Sequence, residues 1–277
     1  GWLGIIERGG WSRPVSADVI MVTAAAAAVW AVVVWALSLA VGRYCIVDAF
    51  WGPGFVVTGV ASAAVCGWSQ LSLLQLILLG AVVIWALRLA LHLSIRILGD
   101  PHEDRRYAAI RDRNQPGFRW KSLFLVFLLQ AFIMWFVSLP VLAALGRVSA
   151  THHLIPAIIG FLLWLTGLFF ESVGDWQLAA FRARPENRGQ VLQTGLWRLT
   201  RHPNYFGDFC IWWGLWLLAI SCGAPLWTVL SPAAMAFFLM RVSGVPMLER
   251  DIAERRPGYA EYVRRTCLLY TSPSPRD

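Results

Sequence analysis

Gly195-Leu-Trp-Arg-Leu-Thr-Arg-His-Pro-Asn-Tyr-Phe-Gly-Asp-Phe-Cys-Ile-Trp-Trp213 passes in one step from a charged loop to an apolar run. Pro203 has the fixed φ that suits the first turn of a helix and Thr200 stands upstream as a cap, so the spacing predicts a helix that starts here and enters an apolar phase. The first N–H groups of such a helix are unpaired and its N-terminus carries partial positive charge. Arg198, Arg201 and His202 add cationic groups beside it, which together describe a receptor for a phosphate or carboxylate. Asn204, Tyr205 and Asp208 place polar groups on the first turns. The competing reading makes Arg and His positive-inside anchors of a membrane helix, but anchoring does not call for Asn, Tyr and Asp just inside.

Working outward, the 277 residues are 58% hydrophobic and only 14% charged, with 16 Trp and a mean hydropathy of +0.58, too apolar for a soluble globule of this size. The chain reads as an all-α, polytopic membrane helix bundle. Seven stretches are long enough to span a bilayer, at 18–42, 46–67, 71–98, 121–146, 153–173, 204–222 and 224–243. Only the turn between the last two, Ser221-Cys-Gly-Ala-Pro225, is tight. Placing the N-terminus outside and the C-terminus in the cytosol collects 19 of the 24 basic residues on one face, as cytoplasmic loops require. The net charge of +8 then belongs to the cytosolic face, where anionic lipids or an anionic cofactor use it. No nucleic-acid or obligate protein partner is expected. The cysteines at 45, 66, 210, 222 and 267 show no paired metal spacing, so neither disulfide nor metal is expected.

Residues 1–17 form a short lead, and 18–266 read as one membrane domain whose cofactor half is about 171–266. Asp48, near the cytosolic end of the second span, is costly unless paired, and Pro53 between Gly52 and Gly54 is expected to loosen the backbone there. Arg88, His92 and Arg96 recur every fourth residue and share one face of the third span. Asp48 and this stripe form either a wet polar cavity that polarises a substrate group or a structural ion pair. The loop 99–121 reads mostly as solvated. Glu171 and Asp175 share a face, with Arg182 two turns on if the helix continues into the cytosol. The stretch 241–265, with Arg241, Glu249, Arg250, Asp251 and Arg255, reads as a cytosolic amphipathic segment. Its Tyr259 and Tyr262 suit a flat ring or the membrane interface. No GxGxxG after a strand, Walker loop or HExxH is present, so a nucleotide has to be held by the membrane helices and their loops.

Taken together, Asp175 with Arg182, Thr194-Gly195-Leu-Trp, Arg201-His-Pro-Asn204-Tyr205-Phe-Gly207-Asp208 and Pro-Gly-Tyr259-Ala-Glu-Tyr262 resemble the bacterial membrane branch of the steroid 5α-reductase family. Asp48-Ala-Phe-Trp-Gly52, Arg88-Leu-Ala-Leu-His92 and Glu103-Asp-Arg-Arg-Tyr107 extend the resemblance over about 18–266. It implies a seven-helix bundle that holds NADPH in its cytosolic half and reduces a carbon–carbon double bond conjugated to a carbonyl in a sterol-like or other lipophilic substrate. The setting implied is a bacterial inner membrane. By this resemblance Asp175, Arg182, Asn204, Tyr205, Asp208 and Arg241 line the dinucleotide, with Arg198, His202, Glu249, Tyr259 and Tyr262 as neighbours. The family's substrate-polarising Glu and Tyr have no clear match, and Asp48 with His92 stands in for them as the catalytic pair. The residues 267–277 lack the expected apolar ending and are set apart as not native to the fold. A similar Arg-His-Pro-x-Tyr-x-Gly turn occurs in membrane methyltransferases of isoprenylcysteine or phospholipids that use S-adenosylmethionine, and this remains the rival reading. A non-enzymatic ion or proton transporter using Asp48, Arg88 and His92 is the third.

Overall fold

The computed structural model describes residues 15–148, 153–242, 249, 252, 256 and 258–267, and among them every regular element is helical. Residues 1–14 of the expected lead, the expected tail beyond Cys267, and Arg250, Asp251 and Arg255 lie outside the described residues. The helices are α1 (Ala17–Val41), α2 (Ile46–Cys66), α3 (Leu73–Leu98), α4 (Arg105–Arg113), α5 (Phe118–Leu145), α6 (Leu154–Arg182), α7 (Pro203–Ser221), α8 (Leu226–Val242) and α9 (Tyr259–Arg265). Five of them, α1, α2, α3, α5 and α6, are long and apolar enough to cross a membrane. The other two expected spans are helices too. However, α8 is shorter, and α7 is not among the five, its first turns diluted by Asn204, Tyr205 and Asp208. On α3, Leu87, Leu91, Ile95 and Leu98 are all more than 60% exposed, an apolar stripe that fits lipid rather than water.

Local chemistry sets the helix ends. Ser72 and Gln75 close a reciprocal capping box at the start of α3, satisfying two otherwise orphaned donors. The Ser221-Cys-Gly-Ala-Pro225 turn resolves into a Schellman stop: Gly223 takes a φ of +84°, Ala224 N–H donates to Ala219 O and Gly223 N–H to Ile220 O. Pro225 then blocks any continuation.

The chain divides into two compact units, one of residues up to Ala157 with Leu215–Ser231, the other of Ile158–Gly214 with residues from Pro232 onward. In the first, α2 packs against α1, α3 and α5. Pro53 does not open α2, which stays helical through it. The flanking glycines instead permit close approach: a Cβ on Gly52 would lie 2.9 Å from Ala86 O, and one on Gly54 would overlap Met134 Sδ. Where apolar side chains are no better off against each other than against lipid, such close backbone packing and buried hydrogen bonds hold helices together. Gln75, fully buried, donates through Nε2 to Ala144 O at 2.6 Å and Arg147 O at 2.8 Å. Ser62 Oγ donates to Leu142 O, and Trp135 Nε1 to Thr23 Oγ1.

The second unit is organised by a seam of glycines at seven-residue spacing. Gly160, Gly167 and Gly174 on α6 face Gly207 and Gly214 on α7 or its first turn: a Cβ on Gly207 would lie 2.6 Å from Gly167 O, one on Gly214 2.6 Å from Gly160 O, and one on Gly174 2.9 Å from Pro203 Cβ. Seven residues are close to two helical turns, so one face of each helix is bare of side chains and the backbones touch. This seam fixes where α7 begins relative to the C-terminal end of α6.

Candidate functional site

The loop before α7 is pinned from three sides. Gly195 adopts a φ of +63° against the Gln177 amide, which would overlap any Cβ there, and Gln177 Oε1 accepts from Leu196 N–H at 3.0 Å. Trp197 Nε1 donates to Gly174 O at 3.0 Å. From α9, Tyr262 hydroxyl donates to Trp197 O at 2.5 Å. Thr200 stands just before α7, as its position suggested. Its Oγ1 accepts from His202 N–H, turning the chain one step before the helix, and Asn204 Oδ1 accepts from Tyr205 N–H at 3.1 Å.

The pinned loop presents Arg201 and His202 to one carboxylate. Arg201 lies 2.8 Å from both oxygens of Glu249, and His202 Nε2 is 2.8 Å from Glu249 Oε1. His202 is buried, with the Tyr205 ring stacked on it at 5.2 Å. Burial works to raise the Glu249 carboxyl, but hydrogen bonds from His202 and Tyr259 and the charge of Arg201 outweigh it and hold Glu249 below the ordinary carboxylate range. Burial and the same carboxylate push the Tyr259 hydroxyl up, so it stays a donor. The sequence suggested a receptor for a phosphate or carboxylate here; in the structure Arg201 and His202 hold the chain's own Glu249.

The remaining expected cofactor residues are placed as follows. Asp175 on α6 and Asp208 on α7 are buried, while Arg182 at the end of α6, Arg198 in the loop and Arg241 at the end of α8 are exposed. Cys267, the first residue of the expected foreign tail, is in fact attached to the site: its carbonyl accepts from Arg201 N–H at 3.1 Å. The contribution of Gln177 and Trp197 was missed. The signal for them was the seven-residue glycine repeat, which fixes the face of α6 that meets the loop.

In the first unit, Asp48 is paired, and more fully than the sequence suggested. Arg96, one turn after His92 on the expected stripe, lies 3.8 Å from Asp48 Oδ2. The closer partners come from the region read as solvated: Arg106 donates to Oδ2 at 2.7 Å and Tyr107 hydroxyl to Oδ1 at 2.5 Å. That region folds as α4 because Asp104 caps it, accepting from Arg106 N–H, and because Tyr107 and Ile110, three apart, turn inward. Glu103 accepts from Tyr44 and Cys45 N–H at the start of α2, tying α4 to the end of α2 that carries Asp48. Tyr107 is only 4% exposed. Burial, then the Asp48 charge, push its hydroxyl well above the ordinary phenol range, so it is a fixed, protonated donor. Burial works against the Arg106 charge, but its hydrogen bond to Asp104 and the charge of Asp48 overcome this and hold it protonated more firmly than usual.

Three comparisons with known proteins bear on this chain. A "Probable O-methyltransferase ustE" from Ustilaginoidea virens is 31% identical over 119 residues, 43% of this chain and 35% of that protein, so the match spans about a third of that relative's length. No solved structure matches the chain significantly. The family described as "Protein of unknown function (DUF1295)" matches residues 34–266, which takes in Asp48, the α4 pair and the loop–α7 cluster, and the chain belongs to that family.

Proposed function

We propose that the chain is a membrane-embedded, NADPH-dependent reductase of a carbon–carbon double bond conjugated to a carbonyl in a lipophilic substrate. The observation that carries this reading is the buried Tyr107 hydroxyl held by Asp48. When hydride adds to the β-carbon of an enone, negative charge develops on the carbonyl oxygen, and a preorganised donor in a dry setting lowers that barrier. Tyr107 is such a donor. Its one proton goes to Asp48 at rest; on this reading the hydroxyl turns that proton to the carbonyl oxygen when the enone binds, and Asp48 keeps its pairing with Arg106 and Arg96. This pair also suits the acid-and-tyrosine pattern of the steroid 5α-reductase family better than Asp48 with His92.

NADPH, when bound, supplies the hydride. The second unit fits it chemically, because the loop already holds a carboxylate at 2.8 Å from two cationic side chains. Glu249 is spoken for by Arg201 and His202 and repels phosphate, so it suits a ribose hydroxyl. The exposed guanidiniums of Arg182, Arg198 and Arg241 are the groups for phosphates. On this reading α7 and α8 complete seven spans in a bacterial inner membrane, with the N-terminus outside and the site facing the cytosol, an orientation that the distribution of basic residues favours.

The name of the Ustilaginoidea virens relative favours a second reading, methyl transfer from S-adenosylmethionine at the same loop. Thermal unfolding of the purified chain separates the two, since a ligand of the native state raises the midpoint. NADPH is expected to stabilise the protein, with Arg182→Ala and Asn204→Ala abolishing the shift, and an enone-bearing lipid is expected to drive NADPH oxidation. Stabilisation by S-adenosylmethionine and not by NADPH overturns the reductase reading.

A further inference from the structure

The corner where α4 meets α5 has no part in the chemistry described above, yet it is built. Exposed Arg113 ends α4, and exposed Arg119, Trp120 and Lys121 open α5. Lys121 Nζ donates to Asn114 O at 3.1 Å and Asn114 Nδ2 to Ile110 O at 2.7 Å, which brings the Lys121 ammonium beside the end of α4. Trp35 on α1 fixes the other side: its ring lies 5.2 Å from that of Trp120, and its Nε1 is within hydrogen-bond reach of Arg119 O and Ser122 Oγ. Underneath, Phe118 is buried against Tyr44. Directly after this corner, α5 exposes Phe124, Leu125, Leu129 and Phe132, an apolar stripe on a helix long enough to cross a membrane.

Three cations thus stand at the end of a lipid-facing stripe with an indole between them. Asp112 is the acid beside them, and it pairs with Arg111. A Trp at that level belongs to the polar–apolar boundary of a bilayer, and basic side chains there meet the phosphates of anionic lipids. We propose that the end of α4 and the first turn of α5 form a docking surface for anionic phospholipid headgroups, contacted by Arg113, Arg119 and Lys121 and levelled by Trp120. This surface does not depend on which reaction the chain performs.

Lys121 is the single lysine of the chain, which makes the test direct. The full chain is reconstituted in phosphatidylcholine nanodiscs, with or without phosphatidylglycerol, and acylation of Lys121 by an amine-reactive ester is followed by peptide mass spectrometry. Labelling is expected to slow several-fold in the anionic discs. The protection is expected to vanish in Arg113→Gln/Arg119→Gln and to survive in Arg264→Gln/Arg265→Gln, which lowers the net charge equally elsewhere. Equal rates in both discs, or equal loss of protection in both double variants, overturns the proposal, the latter leaving only a general surface potential. The same protection by glycerol 3-phosphate in phosphatidylcholine discs overturns the membrane source and leaves a free-phosphate site.

Discussion

Replacing Gly207 by Ala adds one methyl group to the motif glycine of Arg-His-Pro-Asn-Tyr-Phe-Gly-Asp, and the structure assigns that glycine to packing. The new Cβ would stand 2.6 Å from Gly167 O and 2.7 Å from both Glu171 N and Cγ, where ordinary contact begins at 3.4 Å. Two of these three atoms are backbone, so no rotamer change relieves the overlap and α6 and α7 must part by about 0.8 Å. A gap of that size forfeits a quarter to a half of each contact's attractive well along the whole crossing. Overpacking on this scale costs about 1–3 kcal/mol. Because Gly214 meets Gly160 across the same seam, Gly207→Ala/Gly214→Ala is expected to cost less than the two single changes together, the helices having already separated. Gly80 is the control: a Cβ there meets nothing within 4 Å, so Gly80→Ala is expected to stabilise α3 by about 0.5–1 kcal/mol through the lost flexibility of glycine. The assay is thermal unfolding in detergent, read by a thiol-reactive fluorophore in a background with Cys45, Cys66, Cys222 and Cys267 replaced by Ser, so that the remaining Cys210, buried one turn from Gly207, reports the parting of this seam. An unchanged or raised midpoint for Gly207→Ala, measured without ligand, refutes the packing assignment and returns the glycine to a ligand-contact role.

Tyr107→Phe keeps the ring and removes the donor to Asp48; a hydrogen bond to a charged group contributes about 1.5–3 kcal/mol, so a lowered midpoint together with lost enone reduction is expected, and retained activity would remove Tyr107 from the chemistry. Glu249 has a folded-state pKa held below its ordinary value near 4.5, so the stability it contributes is present above that value and is lost as pH falls through the folded one. Glu249→Gln is therefore expected to lower the midpoint at neutral pH and to flatten the decline in acid, which a pH series of unfolding curves reads. Tyr262→Phe deletes the bond to Trp197 O and is expected to cost about 1 kcal/mol and to weaken any nucleotide-induced thermal shift, because the loop before α7 loses one of its three attachments.

The helices were legible because their signal is local. Runs of apolar residues punctuated by Gly, Pro and charge place the ends of six of the seven expected stretches within a few residues; the fifth, expected to end at 173, continues as α6 to Arg182, because Glu171, Asp175 and Arg182 dilute its hydropathy without breaking the helix. What hydropathy alone did not show was how the helices meet. The spacing of Gly160, Gly167 and Gly174 against Gly207 and Gly214 is as local as any hydropathy run, but it states a pairing only once two helices are considered together. The same holds for Gly52 and Gly54: beside Pro53 they suggest a loosened backbone, whereas Ala86 and Met134, distant in sequence, turn that absence of side chains into tight packing.

The site divides along the same line. Arg201, His202 and Tyr205 are legible because they adjoin a helix start, whereas Glu249, Tyr259 and Tyr262 join them only through resemblance, since nothing local states a contact across a separation of 47 or more residues. Asp48 shows the limit most clearly. The reasoning that a carboxylate near a membrane helix end must be paired is sound, and it pointed to the basic stripe on α3, one member of which does approach. A hydrated loop, however, competes poorly with a helix whose Asp104 cap and inward Tyr107 let it bury its own face, and that helix brings the nearer partners. The mixed charges of 99–121 concealed this, because averaging over a loop hides one tyrosine and one arginine that fold inward. An unpaired intramembrane acid is thus better read as a demand on the whole chain than on the neighbouring span, and the nearest capped, amphipathic turn is the first place to look for its answer.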